Sequence, residues 1–323
     1  MDTKLQALCE QFIRNRDLIR QNEKWCSTYL PPVCAHLFCA QGKVVDAERL
    51  KHCHDLLNRQ TGVFSNFRGT METAFVCMLA LEEDPGAALE KTLAAYKLLK
   101  QEFFTSQYLS LAAYLLKDED DLAGVVARGR RIYEAMRKEH PFLTSSEDSV
   151  FAAMLARSEK DDRELIDDME ACYAPLKDHF GSGNSVQTVS HVLALTDGLP
   201  RAKADRFIEL FESLRRAGIK YSKYYELPTL AALSLMPVDI RQVTADMQEV
   251  EVWLSQQKGY GFWGLPRNSR LMHAAMIVST AYAADPSVGA AAITGTLGML
   301  ISQQVATMAA ISAAASVTAA ASN

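Results

Sequence analysis

Nothing in the 323-residue chain reads as a strand: Val, Ile and Thr do not alternate with polar residues over any sustained run, and no Asn-Gly or Asp-Gly turn joins such runs. A sheet is therefore not expected. Catalytic signatures are missing as well. There is no Gly-x-Ser-x-Gly, no phosphate-binding P-loop, no Gly-x-Gly-x-x-Gly set between a strand and a helix, and no His-Glu-x-x-His. Positive charge is scarce and scattered. The formal net charge is -5, and the longest basic run, Arg128-Gly129-Arg130-Arg131, is short and flanked by acids, which argues against a duplex nucleic-acid partner. The start, Met1 to Gln6, has no apolar signal-type region, so no secretory signal is expected. Seven cysteines are an odd number, most of them at helix-core spacing, which fits reduced thiols in the cytoplasm.

What the chain does contain is a degenerate unit of roughly forty residues, repeated from end to end. Its core is a small-residue helix segment, starting at Val76, Ala112, Ala152, Ser190, Ala231 and Ala274, at intervals of 36, 40, 38, 41 and 43 residues. About ten residues before each copy stands an aromatic or glycine turn with a hydroxyl or amide residue, as in Phe103-Phe104-Thr105-Ser106 or Phe142-Leu143-Thr144. Between these marks the periodicity is helical, for example Phe207, Leu210, Phe211 and Leu214. Ser145 before Asp148 and Ser158 before Asp161 have capping-box spacing. The first fifty residues read as a variant hairpin, with Tyr29-Leu30-Pro31-Pro32 as its turn. The expectation is an all-α protein of six or seven helical hairpins over residues 1–285, forming a superhelix or a closed α/α ring with the small-residue helices inside.

Residues 286–323 form a separate segment without a single charged side chain. Ile293, Leu297, Leu300, Ile301, Val305 and Met308 make one helical stripe, and Gly298, Ser302, Ala306 and Ala309 lie opposite. Such a helix buries both sides, as a last helix of the array or a plug in its concave face. Gln303-Gln304 at its middle speaks against a membrane helix. Self-association through this tail is the further option.

Three groups are candidates for chemistry. Asn184, Gln187 and His191 share one helix face after a glycine turn, an arrangement suited to a polar or anionic ligand. The plainer alternative is that Asn184 caps the helix while Gln187 and His191 bond between hairpins. Tyr225, Glu226, Trp263, Arg267 and Arg270 belong to the last two turns, where aromatic and arginine enrichment suits a binding rim. Cys26, Cys34, His36, Cys39, His52, Cys53 and His54 crowd the first hairpin, but their spacing suits buried thiols and exposed imidazoles better than a metal site. The acidic runs Asp118 to Asp121 and Asp161-Asp162 read as solvated loops.

The pattern from Phe142-Leu143-Thr144-Ser145 through Ala152-Ala153-Met154-Leu155-Ala156 to Gly183-Asn184 and Ser190-His191-Val192-Leu193 resembles an uncharacterised family of bacterial proteins known only as a domain of unknown function. That resemblance implies a helical cytosolic protein and brings no activity, cofactor or catalytic residue with it. Gly259-Tyr260-Gly261-Phe262-Trp263-Gly264-Leu265-Pro266 is similar to turns of the α/α-toroid group that includes prenyltransferases and terpene cyclases. No zinc-ligand set or Asp-rich motif accompanies it. The leading expectation is a non-enzymatic module holding a peptide, a partner helix or its own tail. A toroid enzyme acting on an apolar or isoprenoid-like substrate is the alternative. If the stripe of the tail is buried, each aliphatic side chain contributes about 1.5–3 kcal/mol. Truncation after Asp285 should then lower the melting temperature and expose dye-binding surface; an unchanged melt excludes the plug.

Overall fold

The computed structural model describes residues 1–282 apart from 24, 25, 27, 225, 262 and 263 and the side chain of residue 70. The segment 286–323 with its two stripes lies outside the described residues. Among the described residues every regular element is helical: fourteen α-helices and one 3-10 turn, Gly69–Met71.

The helices fall into two alternating kinds. Seven are long and amphipathic: α1 (Thr3–Asn22), α3 (Ala47–Gln60), α5 (Pro85–Glu102), α7 (Leu122–Glu139), α9 (Asp162–Phe180), α11 (Pro200–Arg216) and α13 (Ile240–Ser255). On α11, Phe207, Leu210, Phe211 and Leu214 are all buried, and this one-sided stripe recurs on the other long helices. The other seven are mostly short and apolar all round: α2 (Leu30–Ala40), α4 (Glu72–Leu81), α6 (Gln107–Leu116), α8 (Asp148–Leu155), α10 (Asn184–Ala194), α12 (Leu227–Ser234) and α14 (Arg267–Tyr282). Every residue from Thr73 to Leu81 and from Val186 to Ala194 is buried.

Aspartate starts the long helices. Asp2, Asp46, Asp84, Asp121, Asp161 and Asp239 each accept backbone N–H bonds at the N-cap of α1, α3, α5, α7, α9 and α13. Ser158 is therefore not the cap its spacing suggested. Asp161 takes the position, because its carboxylate receives the Glu164 amide at 2.8 Å and two charged acids suit a helix N-terminus. The Ser145–Asp148 pair keeps the acidic half of the box: Asp148 Oδ2 accepts the Ser145 N–H at 2.8 Å. Pro31 and Pro32 lie in the first turn of α2 and not in a connection before it, since a fixed φ and a missing N–H are harmless there. Gly181, at φ 87°, ends α9 in a conformation that a side chain would disfavour.

Neighbouring elements in sequence are neighbours in space. Along the long helices, α1 packs on α3, α3 on α5, α5 on α7, α7 on α9, α9 on α11 and α11 on α13. Among the apolar ones, α2 packs on α4, α6 on α8, α10 on α12 and α12 on α14. The last described helix also meets the first two: α14 packs on both α1 and α2. Phe12 and His273 bring their rings to 5.9 Å, Thr280 Oγ1 lies 3.3 Å from His36 Nδ1, and Lys4 donates to the Ala281 carbonyl. His36, expected as an exposed imidazole, is thus buried, because α14 covers it.

Three arginines on long helices close the C-termini of the apolar helices beside them. Arg49 donates to the carbonyls of Ala80, Glu82 and Glu83 beyond α4. Arg128 reaches those of Ala156, Ser158 and Lys160 beyond α8, and Arg206 those of Ser234, Met236 and Val238 beyond α12. These are carbonyls at the helix end and in the loop just beyond it, which have no partner within the helix, and a planar guanidinium serves three at once. Arg206→Ala should destabilise by about 2–3 kcal/mol, since it leaves part-buried carbonyls unpaired. Arg206→Lys should restore only part of the loss, because an ammonium is a single point of contact. Denaturant unfolding of the two variants checks this, and equal stability of both with the parent protein refutes it.

Candidate functional site

The turn into α8 and the start of α10 bring a group of buried polar residues together. His191, on α10, is buried against the ring of Phe151 at a centroid distance of 5.3 Å. Its Nδ1 lies 3.7 Å from Asp148 Oδ1 and has no hydrogen-bond partner. Asp148, the first residue of α8, is buried as well. Burial pushes its carboxyl up to about 8, reinforced by the neighbouring Glu147 and opposed by the bond from the Ser145 N–H. Burial also lowers His191 to about 3. At neutral pH both groups are therefore uncharged, and a 3.7 Å contact between them is neither an ion pair nor a hydrogen bond. Gln187 donates to Thr144 Oγ1 at 3.1 Å, and Asn184 bonds through its side chain to Glu147. Burial raises the Glu147 carboxyl, with the bonds from Asn184 and Ser145 opposing the shift.

Asn184, Gln187 and His191 thus do share a site, and two of its members went unseen in the sequence. Asp148 and Glu147 stand on the preceding hairpin, and only their position after the Phe142-Leu143-Thr144-Ser145 turn, one repeat upstream, signals them. The helix start is also different from expectation: Gly183 is the N-cap of α10 and Asn184 its first residue, which frees the Asn184 side chain to reach Glu147.

The second group separates. Tyr225 and Trp263 lie outside the described residues. Glu226 is the N-cap residue of α12, buried, with Oε2 lacking a hydrogen-bond partner. Its carbonyl accepts from Tyr221 and Thr229. Arg267 and Arg270, in the first turn of α14, both reach Glu251 Oε1 of α13, at 3.4 and 2.6 Å, and Arg270 also donates to the Tyr260 carbonyl. They join α13 to α14 and do not face the His191 cluster. Tyr260 itself is buried beneath Arg16, whose guanidinium carbon stands 5.3 Å from the ring centre, and bonds to His273 Nδ1 at 2.8 Å.

Of the aromatic residues expected in the last two turns, Tyr225, Phe262 and Trp263 lie outside the described residues. Tyr221 and Tyr260 of the last two turns are buried, and Tyr224 is exposed. The earlier connections present Phe64 (101% exposed), Phe104 (85%) and Phe142 (98%), from the turns into α4, α6 and α8. Between the last two of these turns lies a cleft of about 250 Å³, walled by Phe103, Phe104, Arg130, Tyr133, Arg137 and Ser146. Its inner wall includes Thr144 and Ser149, which stand in front of the Asp148–His191 pair.

The acidic runs hold structure together: Asp118 pairs with Lys91 and Lys117, Glu119 with Arg157, Asp162 with Arg128 and Arg131, and Asp121 and Asp161 are caps. Among the described residues no group of three or more His, Cys, Asp and Glu is placed to hold a metal ion, and no helix is long and apolar enough to cross a membrane. All seven cysteines are unbridged, and the thiols of Cys34 and Cys77 share a hydrogen bond.

A family model described as "Protein of unknown function (DUF4003)" matches residues 15–306. The chain is 29% identical over 167 residues to an uncharacterized protein, YeaA, of Bacillus subtilis (strain 168). That stretch covers 50% of this chain and 48% of the other, so the chain spans about half the length of the curated relative it matches. No solved structure matches.

Asp148 makes a signed prediction. Its carboxyl titrates near 3.8 when unfolded and near 8 when folded, so between those values the folded state holds a proton that the unfolded state has lost. Stability from this group therefore falls as pH rises through that window. His191, lowered from 6.5 to about 3, acts in the opposite sense between those values. Asp148→Asn removes the first contribution alone. The stability of the parent protein relative to Asp148→Asn should fall from pH 5 to pH 8.5 in urea unfolding, and parallel curves would show that the carboxyl is not held protonated.

Proposed function

The chain belongs to this family of proteins of unknown function (DUF4003), and we propose that it is a binding module, a closed α/α ring of seven helical hairpins that docks a peptide or protein partner on the rim of turns entering α4, α6 and α8. The observation that carries this reading is the full exposure of Phe64, Phe104 and Phe142 on three successive connections of the same kind. A soluble chain rarely leaves large aromatic side chains bare in a row unless something covers them, and aromatic anchors dominate interface energetics. Ring closure is supported by the packing of α14 on α1 and α2. The rim is favoured over the concave interior because the apolar helices are buried along their length. Seven unbridged thiols fit a reducing cytoplasm.

The alternative, a toroid enzyme, draws its support from the Asp148–His191 pair, where a neutral imidazole nitrogen without a partner faces a carboxyl raised to about 8. The cleft in front of that pair, about 250 Å³, is smaller than the roughly 300–1,000 Å³ of ordinary small-molecule pockets.

The test is capture in the native host with the parent protein and with a Phe64→Ser, Phe104→Ser, Phe142→Ser variant. Each substitution is at an exposed position, so stability should change by no more than about 0.5 kcal/mol per site. The module reading expects a stoichiometric protein partner that the variant loses while its melt is unchanged. An identical set of partners for both proteins refutes it, and a stoichiometric small molecule lost only in Asp148→Asn moves the reading to the enzyme.

A further inference from the structure

The cleft between the turns entering α6 and α8 differs from the rest of the rim in its polar inventory. Arg130 gives Nε to Glu134 at 2.8 Å and one terminal nitrogen to the Glu102 carbonyl at 2.9 Å, and its guanidinium carbon stands 5.9 Å from the ring centres of both Phe103 and Tyr133. It is fixed in place, with its other terminal nitrogen uncommitted. Arg137, two turns further along α7, is exposed and makes no hydrogen bond or ion pair among the described residues. Ser146 and Tyr133 likewise keep their hydroxyls free of any such partner. The groups open to the cleft are thus two guanidinium ions, which only donate, and two hydroxyls able to donate. Of the two cations, Arg130 is paired with Glu134 at 2.8 Å and Arg137 has no acid on it. Glu147 is bonded to Asn184 and Ser145, and Asp148 is buried with its carboxyl raised. His140 is occupied by Glu170 at 2.8 Å. In a chain of net charge -5 the unpaired guanidinium of Arg137, beside the spare terminal nitrogen of Arg130, is a point of attachment for a carboxylate.

The apolar surroundings fix the kind of ligand. Phe104 forms one wall, Phe142 flanks the cleft on the next turn, and Phe64 stands one turn before. Neighbouring packed helices lie about 8–10 Å apart, so the three rings extend over roughly 16–20 Å. A molecule that fits in about 250 Å³ cannot touch all three, whereas five or six residues of extended chain, at about 3.3 Å each, can. Resting on the rim reading of the previous subsection, we propose that the partner is an extended peptide segment with a central Asp or Glu, whose carboxylate enters this cleft to meet Arg130 and Arg137 while apolar side chains on either side cover Phe64, Phe104 and Phe142.

The experiment uses the full chain and three fluorescent synthetic peptides. Each carries a Phe about three residues to either side of a central position, about 10 Å of extended chain, and the central residue is Glu, Gln or Lys. Fluorescence anisotropy should give saturable binding of the Glu peptide, with the Gln peptide about five- to tenfold weaker and the Lys peptide weaker still. High salt should reduce the difference between Glu and Gln. Arg137→Ala should bring the Glu peptide down to the Gln level with an unchanged melt, because Arg137 is exposed, and Arg137→Glu should favour the Lys peptide. Equal affinities for Glu and Gln peptides, or a Glu preference that survives Arg137→Ala, overturn the inference. If that equal binding is still abolished by Phe104→Ser, the rim reading stands without the acidic partner. Phenylacetate binding as tightly as the Glu peptide, or no peptide binding at all, also overturns it; the rim reading is then decided by native capture alone.

Discussion

The carbonyls at and just beyond the ends of α4, α8 and α12 set the terms for the rest of the molecule. A helix of eight to ten residues has few internal hydrogen bonds and as many orphan groups at its ends as a long one, so it survives only if its neighbours satisfy them. Arg49, Arg128 and Arg206 do so from long helices, and Lys203 performs the same service for α10 by donating to the carbonyls of Leu193 and Thr196 at 2.6 Å. Each clamp fixes the register between one amphipathic helix and one apolar helix. The opposite ends, the aromatic turns, are held by side-chain bonds such as Thr144 to the Met136 carbonyl and Asn66 to Tyr96, and there phenylalanine is exposed.

On the proposed reading, that division places stability and recognition at opposite ends of the helices. At the clamped end the acidic runs are consumed as caps and ion pairs, so their charge serves the backbone and not a ligand. At the open end, the cleft beside Phe104 keeps two cations and two hydroxyls with capacity to spare. The Asp148–His191 pair belongs to the same end of the molecule, and burial disfavours the charged form of both groups, raising the carboxyl and lowering the imidazole. Arg130 is already paired with Glu134, so Arg137 is the cation of the cleft that remains open.

Helix content was legible because a period of 3.6 residues is a one-dimensional property. Phe207, Leu210, Phe211 and Leu214 are buried as their spacing requires, and Asn184, Gln187 and His191 share one neighbourhood as a common helix face requires. Asp148 was missed because its partner stands a full hairpin away, and nothing local distinguishes it from the acids that cap helices. The exposed phenylalanines were not singled out for a related reason. Phe103 is buried and Phe104 bare although they are adjacent, and composition cannot say which member of such a pair faces outward.

The sequence by itself determined an all-helical chain of alternating amphipathic and apolar segments, together with membership in its family, since both are carried by residue type and order along the chain. Only the tertiary structure decided that α14 returns to α1 and α2 and buries His36, that Asp148 and His191 meet as neutral groups, and that Arg137 stands free beside Phe104. Each of these depends on contacts between hairpins. Such contacts are settled by side-chain volume and by the satisfaction of buried polar groups in three dimensions, which no periodicity encodes.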